Sequence, residues 1–494
     1  MTIGLQKINP RRTMLNLNIF FSMMSSNNRI FLSLIILTAF ILFASVNLHA
    51  QNQPLLISDA IKTVLQNYQS IKAKQHYIQS SQAMVKNTRN EYLPNVIAAM
   101  QQNYGTVNGQ YGPLSALGAL GASSSGPAYS SQSWNSAFGS AYILGTNWEV
   151  FSFGRLNAKI VLSEAQVKKD SADLAQEEFI QSAKISGTYL DLLIARKLIE
   201  NANSNLHRTQ FIQEVVLART KSGLNAGVDS SIANAEVSSA KLSLISAENN
   251  EMLVRNRLLQ LLNIDPLSKF DLDSIYFKSI PANYSTSFEL ERNPQVIYYQ
   301  SRIEQSNKTK TYLKKSILPG VNLFGVFQSR GSGFENDYTP AYTDRYSKNY
   351  FEGMKPARSN YVTGFSLAWN ILSIKKIKEQ ANAQEFLTKA YQQEYDLIST
   401  QLKDQLVFAD ERIATAIRAY HEVPIQYKAA SDAYIQKSVL YKNGLTNIVD
   451  VQTALFSVNK AETDMSVAFI QVWQALLLKA AASGDFNLFL GQVR

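Results

Sequence analysis

The chain has 494 residues, 48 of them Lys or Arg and 38 Asp or Glu, and contains no Cys. Without thiols it has no disulfides, no zinc-thiolate site and no lipidation of an N-terminal cysteine. Its net charge of +10 falls to +6 once Lys7, Arg11, Arg12 and Arg29 are set aside, since no acid balances them in the first 50 residues. Spread over so long a chain without a dense basic cluster, that excess reads as a solvated surface and argues against nucleic acid as a partner.

Asn27-Asn28-Arg29 followed by the apolar run from Ile30 to Val46 reads as a secretory signal within residues 1–50, cleaved after Ala50. Leu48, at the −3 position, is larger than such sites favour, and Met23 or Met24 as the true start gives a leader of ordinary length. Taken as an uncleaved anchor instead, the run falls slightly short of the roughly 20 residues a span needs. No second long apolar run follows, so a membrane would have to be crossed by strands.

Leu56 to about Glu91 places Ile57, Ile61, Val64, Leu65, Tyr68 and Ile71 near helical spacing, with Ser58 and Asp59 as candidate caps. Pro94 ends that helix, and Asn95 to Tyr104 reads as a strand. Gly105 to Gly139 is rich in Gly, Ser and Tyr. Its GALGASSSG has no Lys-Ser/Thr behind it and no tight βα unit around it, so a long loop is expected rather than a phosphate cradle.

Ala141 to Phe151 then alternates. Tyr142, Leu144, Thr146, Trp148 and Val150 share one face, and Ile143, Gly145, Asn147 and Glu149 the other. Further on, Tyr361, Thr363, Phe365, Leu367, Trp369 and Ile371 alternate against Val362, Gly364, Ser366, Ala368 and Asn370, while Asn322 to Gln328 is less cleanly patterned. Strands of about ten residues, bulky on one side and small or polar on the other, fit a transmembrane barrel with a wet lumen. A soluble sandwich would carry the same alternation. On the barrel reading Trp148, Tyr361 and Trp369 face lipid. Four strands cannot close a barrel, so closure needs several chains.

Gly154 to Gly223 and Ser373 to Gly444 are helical throughout, about 100 Å and 105 Å long at 1.5 Å per residue. Val228 to Leu262 and Asn447 to Ala482 return over about half that length. The entering helices, Leu56 to Glu91 and Phe288 to Ser316, are similarly short, so two laid end to end would match one long helix. Long coiled helix packing is the expected outcome.

The chain repeats itself. TKSGLNAGVD (Thr220 to Asp229) and YKNGLTNIVD (Tyr441 to Asp450) lie 221 residues apart, as do Trp148 and Trp369. Leu93-Pro94-Asn95-Val96 answers Leu318-Pro319-Gly320-Val321. Gly-Leu in each copy marks a helix end, because Gly takes the left-handed conformation without steric cost. Residues 51–280 and 281–494 therefore read as two copies of one unit. Because Gly223, Leu224, Gly444 and Leu445 lie farthest from the strands, they are expected to be docking tips. No catalytic constellation emerges: His49, His76, His207 and His421 are isolated, none lies in HExxH, and no metal site is expected.

These features resemble the TolC-like outer-membrane efflux proteins, the outer membrane factors, over nearly the whole mature chain. The Leu-Pro strand starts, NWEVFSFGRLNAKI and above all YKNGLTNIVDVQTALFSVNKAE carry the resemblance. It implies a mainly α fold with transmembrane β: a homotrimer in which four strands per chain close a twelve-stranded β-barrel in outer-membrane lipid. Below it, the long helices would form an α-barrel through the periplasm, with the hairpins at its inner end. The implied function is the exit duct of a tripartite efflux or type I secretion system, without enzymatic activity or cofactor. Its implied partners are a periplasmic adaptor (membrane fusion protein) and an energised inner-membrane transporter of RND, ABC or similar type.

The resemblance also assigns site residues. Asp450 takes the first acidic ring position at the entrance, while Thr453 stands where a second acid often lies. Tyr441 matches a tyrosine that helps hold the entrance closed, Asp229 matches its acidic partner, and Thr446 replaces an arginine sometimes found there. Both acids equally suit a helix N-terminus, where the dipole favours them. Three copies of Asp450 around an axis would raise one another's pKa and attract cations. The alternative is a structural, long-helix periplasmic protein that forms no pore.

Overall fold

The computed structural model describes residues 54–109, 128–268, 270–284 and 289–492. The expected leader and cleavage site, and residues 110–127 of the Gly/Ser-rich stretch, lie outside them. Helices α1 (Ile57–Asn67) and α2 (Gln69–Asn90) lead to strands β1 (Asn95–Thr106) and β2 (Ser136–Phe151), then to α3 (Arg155–Lys221) and α4 (Gly227–Leu262). The order recurs as α5 (Pro294–Lys315), β3 (Gly320–Ser332), β4 (Arg358–Ala368), α7 (Ser373–Lys442) and α8 (Ile448–Ser483). A five-residue helix, α6 (Tyr350–Met354), sits in the β3–β4 connection, and α9 (Asn487–Leu490) follows α8.

The expected first helix is two. Tyr68 adopts extended dihedrals (φ −70°, ψ 127°) between α1 and α2, and its N–H closes α1 on the Val64 carbonyl. Its ring packs against the main hydrophobic cluster, a tertiary contact that helical spacing does not encode. Ser58 and Asp59 do not cap α1; Leu56 occupies the N-cap without a side-chain bond, and Leu55 N–H is tied instead to the Asp271 carbonyl at 2.8 Å. The second entering helix begins at Pro294, where Asn293 caps it by accepting from Gln295 N–H at 2.9 Å. Pro at this first position forfeits only an N–H that has no helical partner.

β1 to β4 form one antiparallel sheet in sequence order. β2 starts at Ser136, inside the stretch expected to be loop. Pairing on both flanks holds its small residues there, with Gly139 opposite Asn103 and Ser332. The register sets Ala98, Leu144, Phe327 and Tyr361 in one row, and Trp148, Leu323 and Phe365 in another, on the same face. The opposite face carries Asn147, Gln328, Asn360, Arg330 and Arg358. β1 and β4 are its two edges, each paired on one side only.

The short helices lie end to end along the long ones, as expected. Along α3, Lys74–Asp173 (2.5 Å) and Arg89–Glu164 (2.7 Å) mark α2, while Arg196–Glu251 (3.3 Å) marks α4. Along α7, Lys310–Glu385 (2.8 Å) marks α5 and Lys479–Asp410 (2.7 Å) marks α8. Near the sheet the layer therefore runs α2, α3, α5, α7, and near the hairpins α4, α3, α8, α7. Where the short helices meet lies the main core, with Ile185, Tyr189, Leu190, Leu258, Tyr276 and Trp473 all below 2% exposed.

The α8 helix departs from the expectation of no second apolar run. By length and composition it could cross a membrane, but 61% of its most apolar window is buried inside the protein. It is a core helix because α3 and α7 cover it. α7 itself runs uninterrupted through Pro424, despite the hydrogen bond lost at that turn.

Candidate functional site

Both long helices end by the same chemistry. Gly223 (φ 71°) and Gly444 (φ 76°) take left-handed dihedrals; Leu224 N–H then reaches the Arg219 carbonyl and Leu445 N–H the Leu440 carbonyl, each at 2.9 Å. This is the Schellman closure, which satisfies carbonyls that a helix end leaves open. Leu224 and Leu445 are left 68% and 72% exposed at the turns. The two turns also touch. Arg219 donates to the Lys442 carbonyl at 3.0 Å, and its guanidinium lies 5.6 Å from the Tyr441 ring centre.

Behind the turns a small apolar cluster joins the two hairpins: Ile212 and Val216 of α3, Ala233 of α4, Tyr441 of α7, and Ile448 and Val451 of α8. Tyr441 is only 2% exposed. Its hydroxyl accepts from Asn225 Nδ2 at 2.7 Å, and the same amide nitrogen donates to Asp229 Oδ2 at 2.8 Å. Asn225 Oδ1 in turn accepts from Arg219 Nε at 2.8 Å. The expected Tyr441–Asp229 pair is thus joined through Asn225, which the sequence reading missed. Burial first, and then the nearby Asp229 charge, push the Tyr441 hydroxyl above its ordinary pKa, so it stays protonated.

Asp450 hydrogen-bonds neither Tyr441 nor Asp229. Its Oδ2 accepts from Thr446 Oγ1 at 2.6 Å and pairs with Lys437 Nζ at 2.9 Å; its backbone N–H bonds Asn447 Oδ1 at 2.9 Å. The Thr446 hydrogen bond and then Lys437 hold its carboxyl below the usual carboxylate range. Within one protomer this is opposite to the upward shift expected of an uncompensated acidic ring, because Lys437 supplies the countercharge. One signal for these contacts was available in the repeat. Asn225 and Thr446 both stand two residues after the turn Gly, and both bond the acid four residues on. Lys437 had no such signal, since it reaches Asp450 across the turn.

At the other end of the molecule, Trp148 and Tyr361 share the bulky sheet face through the β2–β3–β4 register. Trp369 follows one residue after β4. The two tryptophans make matching bonds: Trp148 Nε1 donates to the Tyr92 carbonyl at 2.7 Å, and Trp369 Nε1 to the Ile317 carbonyl at 2.9 Å. Each bond ties a strand's helix-proximal end to the linker from the preceding helix. Tyr361 and Phe365 are 82% and 81% exposed. On the polar face, Glu149 receives Arg155 at 2.5 Å at the corner where β2 becomes α3. Among the described residues no three His, Asp or Glu side chains converge as a bound metal ion would require.

The sequence profile of the outer membrane efflux protein family matches residues 60–263. No curated protein matches the sequence. Among solved structures, the Campylobacter jejuni CmeC outer membrane channel aligns with a TM-score of 0.70 at 14% identity, over 87% of this chain and 85% of that one. The Vibrio cholerae outer membrane protein VceC aligns at 0.69 and 14%, over 87% and 96%. The Neisseria gonorrhoeae MtrE outer membrane channel aligns at 0.67 and 16%, over 87% and 88%. At these identities the likeness is one of fold. The profile match over residues 60–263 and a fold shared over 87% of the chain make it similar to the outer membrane efflux proteins.

Proposed function

We propose that three copies of this chain form the exit duct of a tripartite efflux or type I secretion system. The duct passes small molecules or proteins through the outer membrane while an inner-membrane transporter of RND, ABC or similar type supplies the energy. The observation that carries this reading is the four-stranded sheet, open at both edges and bulky on one face, standing on helices of about 100 Å. Open edges leave a row of backbone donors and acceptors without partners. In a membrane every such group must be satisfied, so β4 of one protomer pairs with β1 of the next. Four strands from each of three protomers then close a twelve-stranded barrel around the polar face, with Trp148, Tyr361 and Trp369 against lipid.

The helical layer supports the same assembly. Its edge helices keep exposed apolar side chains: Leu242 (68%) and Ile245 (59%) on α4, Phe386 (70%) and Val407 (62%) on α7. Opposite edges meeting head to tail give a closed ring with no edge left over. The helices would then enclose a periplasmic tunnel, with the halves 51–280 and 281–494 each contributing one hairpin at its inner end. Gly223-Leu224 and Gly444-Leu445 dock the periplasmic adaptor there. Tyr441, Asn225 and Asp229 hold the entrance closed, while Asp450 with Lys437 lines it.

The test is assembly and conduction together. Outer-membrane fractions should yield heat-modifiable trimers, and the purified trimer should give single-channel steps in a planar bilayer. Trimers without conductance would favour a structural periplasmic role.

A further inference from the structure

We propose that α6, in the β3–β4 connection, is a foot lying on the lipid-side surface of the barrel, set in the headgroup layer of the outer leaflet. This rests on the reading above that the bulky sheet face meets lipid.

The seat of α6 is unambiguous in register. Ser140 Oγ donates to the Gly353 carbonyl at 3.0 Å, Tyr142 hydroxyl to the Met354 carbonyl at 2.9 Å, and Tyr350 hydroxyl to Gln102 Oε1 at 2.8 Å. The Tyr350 ring meets Phe138 edge-on at 5.2 Å. Gln102 pairs with Ser140, and Phe138, Ser140 and Tyr142 alternate in phase with Leu144 and Trp148. α6 therefore covers the bulky face, not the polar one. The fit is close: a Cβ on Gly331 would come within 2.5 Å of both Ser140 Oγ and the Lys355 carbonyl. The connection after β3 thus turns back over the outside of the sheet instead of continuing away from it.

Its height agrees with a membrane interface. From Trp148 to the α6 seat at Tyr142, Ser140 and Phe138 is six to ten residues of one strand, about 20–34 Å at 3.4 Å per residue. A strand tilted by about 40° converts this to a rise of about 16–26 Å, against an apolar band of about 25 Å in such barrels. The tryptophans bonded to the linkers mark one boundary of that band, and α6 reaches the other. Its side chains suit the position. Phe351 is 78% exposed, Lys348 and Lys355 flank the helix, Lys348 Nζ lying 5.9 Å from the Tyr346 ring centre, and Glu352 is the helix's one acid. α6 packs mainly on β2 and β3, the inner strands, and reaches the edge strand β1 only through Tyr350, so the β4 edge is left clear of it. Aromatic rings with flanking cations are the composition that settles among headgroups, where the ring sits at the apolar boundary and the amines meet phosphate.

Because the chain has no Cys, one nitroxide can be attached at one introduced thiol. Trimers carrying Phe351→Cys, Leu367→Cys or Asn147→Cys would be reconstituted in phosphatidylethanolamine–phosphatidylglycerol vesicles. Collision rates with oxygen and with a water-soluble nickel chelate would then be compared. The oxygen-to-nickel ratio should be several-fold higher at 351 than at 147, and highest at 367. A ratio at 351 equal to that at 147, with 367 still lipid-like, would overturn the foot and leave the barrel reading intact. Water-like values at 367 would overturn the barrel reading itself. Lys348→Cys gives a second label position if Phe351→Cys fails to assemble; a ratio there equal to that at 147, with 367 still lipid-like, would likewise overturn the foot.

Discussion

Replacing Asn225 by Ala removes the side chain that joins the two hairpins, and its cost can be worked from the contacts. Three hydrogen bonds disappear, to Tyr441, Asp229 and Arg219. Asp229 and Arg219 are half-buried and can turn to water, so their loss is small. The Tyr441 hydroxyl belongs to a side chain only 2% exposed and keeps no donor. An orphaned buried group of this kind costs about 1–3 kcal/mol. If the junction holds the entrance closed, that energy shifts the open-to-closed ratio by about 5- to 150-fold per protomer. Open probability in planar bilayers would be measured for wild type, Asn225→Ala, Tyr441→Phe and the double variant. Each single change should raise it, and the double should add little to Asn225→Ala, because both remove the same bond. Fully additive effects would show that Asn225 does not couple the hairpins. No change in any variant would mean that this junction is not what closes the tunnel.

Gly444→Val forces a β-branched residue to φ 76°, with its Cβ 3.2 Å from the Arg219 guanidinium; the left-handed strain alone is about 1–2 kcal/mol. Trimers should survive in the membrane while export falls, and unchanged export would remove the tip from the docking surface. Leu367→Arg should cost about 2–4 kcal/mol if the position lies near the bilayer midplane, read as a loss of assembled trimer; normal assembly would place that face elsewhere. A trivalent cation applied from the periplasmic side should block wild type only weakly, because Lys437 neutralises Asp450. Lys437→Gln should strengthen the block and Asp450→Asn abolish it, so equal block in all three would take Asp450 off the pore. The Asp450 carboxyl is held low, so its contribution is present above its unfolded value of about 3.9 and is lost only as pH falls through the lowered one. The cation block set by Asp450 should be flat from about pH 5 to 8 on that sign; a midpoint inside the window would contradict it.

The repeat, the long helices and the strand faces were legible in the sequence because each rests on a local period or a local conformational demand. Alternation fixed which side of β2 and β4 is bulky, and Gly223 and Gly444 fixed where the long helices end, since a left-handed residue is a backbone requirement. Even so, local pattern misplaced elements wherever a distant contact outweighed it. Tyr68 breaks a well-patterned helix to reach the core. Ser136 to Gly139 look like loop by composition but are held in β2 by partners on either side. α8 has the composition of a membrane helix and is instead covered by α3 and α7. The site shows the same division. Tyr441, Asp229 and Asp450 were singled out by the resemblance, at places beside the repeated turns. Their partners were not: the four-residue Asn225–Asp229 spacing was there to read, but the Asn225–Tyr441, Arg219–Lys442 and Lys437–Asp450 contacts run between hairpins or across a turn and depend on how the helices pack. Spacing along the chain carries no record of that packing, so only the tertiary structure put Asn225 between the tyrosine and the acid, and a lysine against Asp450.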